Sequence, residues 1–339
     1  MADTFDFEAY TPKIAVVGAG GQGSNLVNRL YVNGIESATT IAVNTDLAHL
    51  NLIKAHKKVL IGREITQGLG AGGFPEVGAK CADVSRGDLE KVLEGYNLVF
   101  VGAGLGGGTG TGAAPVIARV AKEMGATVIA AVTYPFALER SRKAKADWGL
   151  EQLSKEADCV IVLENDKLLE YAPNMPMEKA FEFSDNVTLN AVKGIADTIM
   201  LPSLINLDFA DLNTVVKDTG TAVISIGLGS GADRATQAIR TTRTHPLLSA
   251  DYTGAKGALV HVCGGTDLSI KEATEIGAGV TEDLAPDANV IFGARLIPEL
   301  RDQIRVMSII TGVKAKFGMK TKQQREAQAI RLENMQSIL

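Results

Sequence analysis

Residues 102 to 115 read GAGLGGGTGTGAAP, a run of glycine and threonine set between an apolar segment, NLVFV, and a helical pattern, AAPVIARVAKEMG. Glycine lacks a Cβ, so successive backbone N–H groups can turn toward one point. Thr109 and Thr111 add hydroxyl donors, and Pro115 suits the first turn of the helix that follows. The positive end of that helix's dipole stands behind the loop. Gly106, Gly107, Gly108, Thr109, Gly110, Thr111 and Gly112 therefore predict a cradle for a polyphosphate. No G-x-x-x-x-G-K-[ST] occurs in the chain, so there is no Walker-type lysine. Backbone dipoles and a Mg²⁺ ion are expected to balance the phosphate charge.

A second glycine cluster closes the apolar run at residues 14 to 25, IAVVGAGGQGSN. Gly18, Gly20 and Gly23 fit the dinucleotide spacing G-x-G-x-x-G, and Asp46 closes the next apolar run, TTIAVNTD. Read alone, this pair leaves an NAD-dependent oxidoreductase open. A third polar segment, NLDFAD at 206 to 211, places Asp208 and Asp211 three apart. Locally that spacing reads as an N-cap with a capping-box partner.

These segments need a scaffold, and the chain has the means to build one. Its 339 residues are 46% hydrophobic and 22% charged, which suits about two packed domains. Net charge of −5 argues against nucleic acid as a partner, because phosphate-tracking surfaces are basic. Cys81, Cys159 and Cys263 match no metal spacing and read as buried thiols in a reducing compartment. The acidic start MADTFDFEAYTPK lacks the order of a signal peptide, and no apolar run reaches bilayer length, so direct membrane insertion is not expected and a cytoplasmic location is.

Continuous apolar runs alternate with helical patterns from residue 13 to about 165: KIAVVG, TTIAVN, KVLIG, NLVFVGAG, TVIAAVTY and CVIVLEN. Such runs predict strands buried on both faces, hence an α/β, Rossmann-like parallel sheet flanked by helices. Residues 177 to 200 hold Phe183, Val187, Ala191, Ile195 and Ile199 at helical spacing and predict one long helix stopped by Pro202. Its length of roughly 36 Å would cross a domain. TAVISIGLG, GALVHVCGG, NVIFGARL and IRVMSIITGV, with helical segments between them, predict a smaller α/β unit with a mixed sheet. The expected division is an N-terminal extension at 1–12, a nucleotide-binding domain at 13–176, a connecting helix at 177–201, a second domain at 202–317 and a polar tail at 318–339, disordered or a marginal helix.

GGGTGTG at 106 to 112 resembles the phosphate loop of the tubulin/FtsZ family of polymerising GTPases, and its flanks are similar to the prokaryotic FtsZ branch rather than to eukaryotic tubulin. The similarity spans about residues 13 to 317. It implies GTP and GDP as ligands with Mg²⁺, and head-to-tail homopolymers in a cytoskeletal or cell-division role. By the same match Gly20, Gly21, Gln22, Gly23, Ser24 and Asn25 line the nucleotide, with Gln22 and Ser24 departing from the usual glycines. Asn44 lies in the next matching loop, and Ala71 and Gly72 would offer N–H groups to the terminal phosphate, beside Phe74 where the family usually has Asn. Glu139 matches the ribose acid, and the family's arginine falls on Lys143 with Arg142 beside it. Asn165 matches a base contact. Phe181 and Asp185, four apart on the long helix and so on one face, match a stacking residue and an acceptor for guanine N1–H and N2–H. Adenine offers no such donor pair.

The resemblance also implies that Asn206, Asp208 and Asp211 are catalytic. If Asp185 touches the base, the helix end at Met200 lies roughly 23 Å away and the acids lie beyond it. They would then meet the nucleotide of a neighbouring chain in a head-to-tail contact that does not close. A nucleotide-binding relative that does not hydrolyse GTP stays open beside this reading. The terminal AQAIRLENMQSIL does not match the family's adaptor-docking peptide, though Ile330, Met335 and Ile338 form a weak apolar stripe. Any membrane attachment is expected to need a separate adaptor or division protein.

Overall fold

The computed structural model describes residues 11–171, 173–217, 219–244 and 250–315. The expected tail at 318–339 and most of the extension at 1–12 lie outside the described residues.

Six parallel strands build the first half: β1 (Ile14–Ala19), β2 (Thr39–Asn44), β3 (Lys57–Leu60), β4 (Leu98–Gly104), β5 (Thr127–Tyr134) and β6 (Cys159–Glu164). β1, β5 and β6 are buried along their whole length, because helices cover both faces. On one face lie α4 (Pro75–Val84), α5 (Arg86–Leu93), α6 (Thr109–Glu123) and α7 (Arg140–Glu156), packed on Val17, Val101 and Val132. On the other lie α1 (Gly20–Val32), α9 (Met177–Met200) and α10 (Phe209–Val216), packed on Val16, Phe100 and Ile161. Short helices α2 (Leu47–Leu52), α3 (Arg63–Thr66) and α8 (Asp166–Tyr171) sit in the connections.

The second half contributes β7 (Gly220–Ser230), β9 (Gly257–Gly264), β10 (Asn289–Leu296) and β11 (Gln303–Thr311). β11 runs antiparallel to both β7 and β9, while β10 and β9 are parallel, giving the mixed sheet that the patterns predict. β7 also pairs with β6 through Cys159–Gly220 and Val160–Thr221, so one sheet of ten strands runs across both halves in the order β10-β9-β11-β7-β6-β5-β4-β1-β2-β3. Helices α11 (Arg234–Arg243) and α12 (Ile270–Val280) cover Val260, Val262 and Val306. A two-stranded sheet pairs β8 (Ala250–Asp251) with β12 (Lys314–Ala315).

The long helix α9 serves both halves. Val192 and Ile195 belong to one core with Val16 and Phe100 of the first half and Leu259 and Met307 of the second. It ends at Met200, and Leu201, at φ −104° and ψ 139°, takes the extended conformation that a following proline imposes.

Both helices behind the glycine loops begin inside the glycine runs. α1 begins at Gly20, and α6 begins at Thr109, which leaves Pro115 within the helix instead of in its expected place in the first turn. Glycine allows this because α6 meets α4 backbone to backbone. A Cβ on Gly112 would stand 1.9 Å from the Pro75 carbonyl oxygen and 2.6 Å from the Ala79 nitrogen. Helix propensity favours Ala over Gly by about 1 kcal/mol, but overpacking against fixed backbone costs about 3 kcal/mol. Gly112→Ala is therefore expected to lower the denaturation midpoint; an unchanged or higher midpoint would contradict the close α4–α6 contact.

Candidate functional site: a nucleotide pocket at the strand ends

In the first half the strand order reverses direction between β1 and β4, and the two glycine loops follow these two strands at their C-terminal ends. That crevice is where open parallel sheets bind ligands. The loops touch: a Cβ on Gly20, whose φ is +71°, would lie 2.6 Å from the Gly110 nitrogen. The segment 71–74 closes against the same place, since a Cβ on Gly108 would lie 2.8 Å from the Phe74 nitrogen and 2.9 Å from Ala71 Cβ. Thr45 Oγ1 meets Thr109 Oγ1 at 2.6 Å, and the adjacent Asn44 side chain accepts from Thr45 N–H at 2.9 Å. Four segments distant in sequence thus form one rim of backbone and hydroxyl groups.

Beside this rim is a cavity of about 320 Å³ lined by Gln22, Asn25, Leu105, Thr133, Pro135, Glu139, Arg142, Asn165 and Asp185, together with Arg29. The expected contacts Gln22, Asn25, Glu139, Arg142, Asn165 and Asp185 therefore converge on one space. Asn165 Oδ1 is buried without a hydrogen-bond partner among the described residues, an acceptor that a ligand N–H would satisfy. Asp185 is 8% exposed, and burial raises its carboxyl to about 6; the Arg29 guanidinium, 3.3 Å away, and a hydrogen bond from Gln22 oppose the shift. Glu139 pairs with Arg142 at 2.5 Å, and the Arg142 guanidinium lies 4.0 Å from the Cβ position of Gly107. Arg142 thus places a cation beside the glycine cradle, where no Walker lysine exists. Lys145 Nζ donates to the Gly73 carbonyl at 2.7 Å and lies over the Phe74 ring.

Several expectations need correction. Thr111 is fully buried, and its Oγ1 accepts from Gly106 N–H at 2.9 Å, so it shapes the loop from behind rather than facing a phosphate. Ser24 is fully buried, and its Oγ, like Asn165 Oδ1, has no hydrogen-bond partner among the described residues. Gly23 packs α1 on β4, because a Cβ there would lie 2.3 Å from the Gly102 carbonyl oxygen. Lys143 does not line the cavity; Arg142 does. Asp46, the acid that an NAD site would use, caps α2 by accepting from His49 N–H at 2.9 Å and does not line the cavity. Phe181 lies in α9, and its side chain is outside the described residues.

Arg29 was missed by reading the chain for glycines and acids. It stands four residues after Asn25 and seven after Gln22, on one face of α1, and that spacing is the signal that would have found it. Among the described residues no group of three or more His, Cys, Asp or Glu is placed to hold a metal ion.

Asn206 and Asp208 are exposed and Asp211 is half-buried, and none lines the cavity. Asp208 Oδ1 accepts from Asp211 N–H at 2.8 Å, and Asp211 Oδ2 accepts from Asp208 N–H at 3.1 Å, the capping box that local spacing predicts. One oxygen of each carboxylate is left without a partner among the described residues. The acids follow the far end of α9, beyond the roughly 23 Å that separates Asp185 from Met200. Cys81 and Cys159 are buried and Cys263 half-buried, all three unbridged.

Two family models match this chain. Residues 13–173 match the Tubulin/FtsZ family GTPase domain, and residues 220–314 match the FtsZ family C-terminal domain. The chain is 54% identical over 306 residues to a cell division protein FtsZ 2 of Methanocaldococcus jannaschii, covering 89% of this chain and 80% of that one. It is 50% identical over 304 residues to FtsZ 2 of Haloferax volcanii, covering 90% and 76%. The solved structure of an empty FtsZ dimer from M. jannaschii superposes with TM-score 0.84 at 43% identity, over 92% of this chain and 94% of that one.

Proposed function

Because this chain belongs to the tubulin/FtsZ family of GTPases, we propose that GTP occupies the cavity between Gln22 and Asp185 and is hydrolysed where a second copy brings Asn206, Asp208 and Asp211 to it. The observation that carries this reading is the separation of the two halves of the site. The cavity and cradle lie at one end of α9, and the exposed acid pair follows the other. A chain so built cannot complete its own site, and head-to-tail contact completes it by repetition.

On this reading residues 13–176 bind the nucleotide, 177–201 connect, and 202–317 supply the activating acids. Asp185 accepts from guanine N1–H and N2–H, and Asn165 accepts at the base edge. Glu139 accepts from the ribose hydroxyls. The backbone N–H groups of 106–110 and of Ala71 and Gly72 surround the phosphates, and Arg142 adds a positive charge. The family implies Mg²⁺, and the described residues offer no carboxylate cage for it; it fits here as an ion carried by phosphate oxygens and water beside Thr45 and Thr109, where it would neutralise phosphate charge. The free carboxylate oxygens of Asp208 and Asp211, with Asn206, orient a water in line with the terminal phosphorus. Its oxygen bonds to phosphorus as the bond to the β–γ bridging oxygen breaks, GDP leaving with that electron pair and the water's proton passing to one of the two carboxylates.

Like the relatives it resembles, the protein acts as a polymerising GTPase of the cell-division type. No helix among the described residues is long and apolar enough to cross a membrane, and attachment through an adaptor, in the cytoplasm, is part of the proposal. Sedimentation with GTP, GDP and a slowly hydrolysed analogue, with phosphate release measured alongside, tests it. Pelleting is expected with GTP and the analogue, and turnover per chain should rise from near zero above a threshold concentration. Turnover per chain that does not depend on concentration would overturn the interfacial site.

A further inference from the structure

His261 on β9 has no part in the pocket, yet it is 3% exposed in the core between α9 and the second half of the sheet. Thr198, in the last turns of α9, donates its hydroxyl to the Gly194 carbonyl at 2.7 Å. That hydroxyl has one hydrogen, so the His261 Nδ1 that stands 3.0 Å from it must carry a proton and donate to Thr198 Oγ1. Nε2 is then the acceptor, and the Ser203 hydroxyl stands 3.4 Å from it and 3.5 Å from the Leu201 carbonyl oxygen, so its one hydrogen is shared between the ring and the loop backbone. Burial, with Arg295 adding to it, lowers the imidazole to about 4, so the ring is neutral and keeps this donor–acceptor order.

The segment held in this way leads to the acids. Ser203 stands at the start of the loop between α9 and α10, and two residues later Ile205 exchanges both backbone hydrogen bonds with Ala294 of β10, at 3.0 and 3.1 Å. Asn206 and Asp208 follow. On α9 the residue before Thr198 is held from the other side: Asp197 Oδ1 accepts from Ser37 Oγ at 2.7 Å, in the segment that precedes β2. Consecutive residues of one helix are therefore tied to opposite halves of the molecule. A buried imidazole is a costly way to fill a core, since an apolar side chain of like volume needs no partners.

We propose that His261 is a positioning residue for the interfacial reaction: through Thr198 and Ser203 it locks the end of α9 and the start of the 201–208 loop to β9, and so sets where Asp208 and Asp211 meet the next chain's nucleotide. This rests on the hydrolytic reading above. His261 does not line the cavity, so its loss acts on the rate within filaments and leaves GTP affinity and assembly in place. A displacement of about 1 Å in a catalytic group is enough to cost on the order of 100-fold in rate.

The experiment compares wild type with His261→Phe, Ser203→Ala and Asp208→Asn, measuring GTP affinity, the fraction pelleted with a slowly hydrolysed analogue, and phosphate release per pelleted chain. His261→Phe keeps an aromatic ring at the position and removes both hydrogen bonds. It is expected to bind and pellet as wild type and to release phosphate roughly 10- to 100-fold more slowly. His261→Asn, whose amide nitrogen can replace the Nδ1 donor, is expected to recover part of the rate. Ser203→Ala removes a hydroxyl at the loop without opening the core, and a several-fold slowing decides the matter even if His261→Phe does not fold. If Asp208→Asn loses turnover while His261→Phe and Ser203→Ala keep the wild-type rate per pelleted chain, the positioning role fails and the interfacial site stands. If Asp208→Asn itself turns over normally in filaments, the interfacial site fails first.

Discussion

Replacing Asp208 by asparagine should leave a chain that folds, binds GTP and assembles, yet releases phosphate about 10²- to 10³-fold more slowly per assembled chain. The choice of substitution matters because Asp208 has two tasks. As N-cap of α10 its Oδ1 accepts from Asp211 N–H, and asparagine caps as well as aspartate, whereas alanine costs about 1 kcal/mol. Asp208→Asn thus keeps the helix start and removes the charge that would polarise water. Asp208→Ala should show the same slow turnover and a lower denaturation midpoint. Both midpoints and phosphate release are measurable on the same samples. If Asp208→Asn assembled and hydrolysed at the wild-type rate, the acid pair would be a helix cap and nothing more, and the attacking water would have to be oriented by other groups.

Asp185→Asn should reverse the base preference. Guanine presents N1–H and N2–H, both donors, to the carboxylate; an amide offers one acceptor and one donor in the same place. GTP affinity is expected to fall about 100-fold, as when a buried hydrogen-bonding partner is mismatched. Xanthosine triphosphate, which carries an oxygen where guanine has its amino group, should bind the variant better than GTP does. Equilibrium titration with the two nucleotides checks this, and an unchanged GTP affinity would remove Asp185 from the base site.

The same residue predicts a pH dependence. Burial raises the Asp185 carboxyl to about 6 in the empty protein, and only the ionised form accepts two hydrogen bonds. GTP affinity should be full above pH 7 and about tenfold weaker at pH 5, and the slope should vanish in Asp185→Asn. The sign for folding is opposite. A carboxyl whose folded value lies above its unfolded value binds its proton more tightly in the native state, so its contribution to stability is largest at acid pH and is lost as pH rises through about 6. Acid that weakens GTP binding through Asp185 therefore does not do so by unfolding the site.

Much of the scaffold is legible in the chain because parallel strands buried on both faces must be continuous apolar runs. KIAVVG, TVIAAVTY and CVIVLEN mark β1, β5 and β6 to within a residue or two. The long helix reads equally well, since Ala191 and Ile195 recur on its buried face and Pro202 ends it. Capping of α10 by Asp208 and Asp211 is a three-residue pattern that needs no tertiary information. The places where α1 and α6 start were less legible, because glycine runs carry no periodicity and the helices begin inside them.

By itself the sequence determined the glycine loop, the parallel sheet behind it, the α9 spine and the position of Asp208 and Asp211 beyond its end, because each depends on local residue type or on the fixed rise of a helix. Only the tertiary structure decided which members of each motif line the cavity and which pack behind it. Thr111 turns inward to hold its loop, Gly23 packs α1 on β4, and Arg142 rather than Lys143 reaches the cavity. Arg29 joins Asp185, and His261 joins Thr198 and Ser203, across chain separations that no spacing records. Side-chain direction in a loop is set by what packs behind it, and that packing comes from segments far away in the chain.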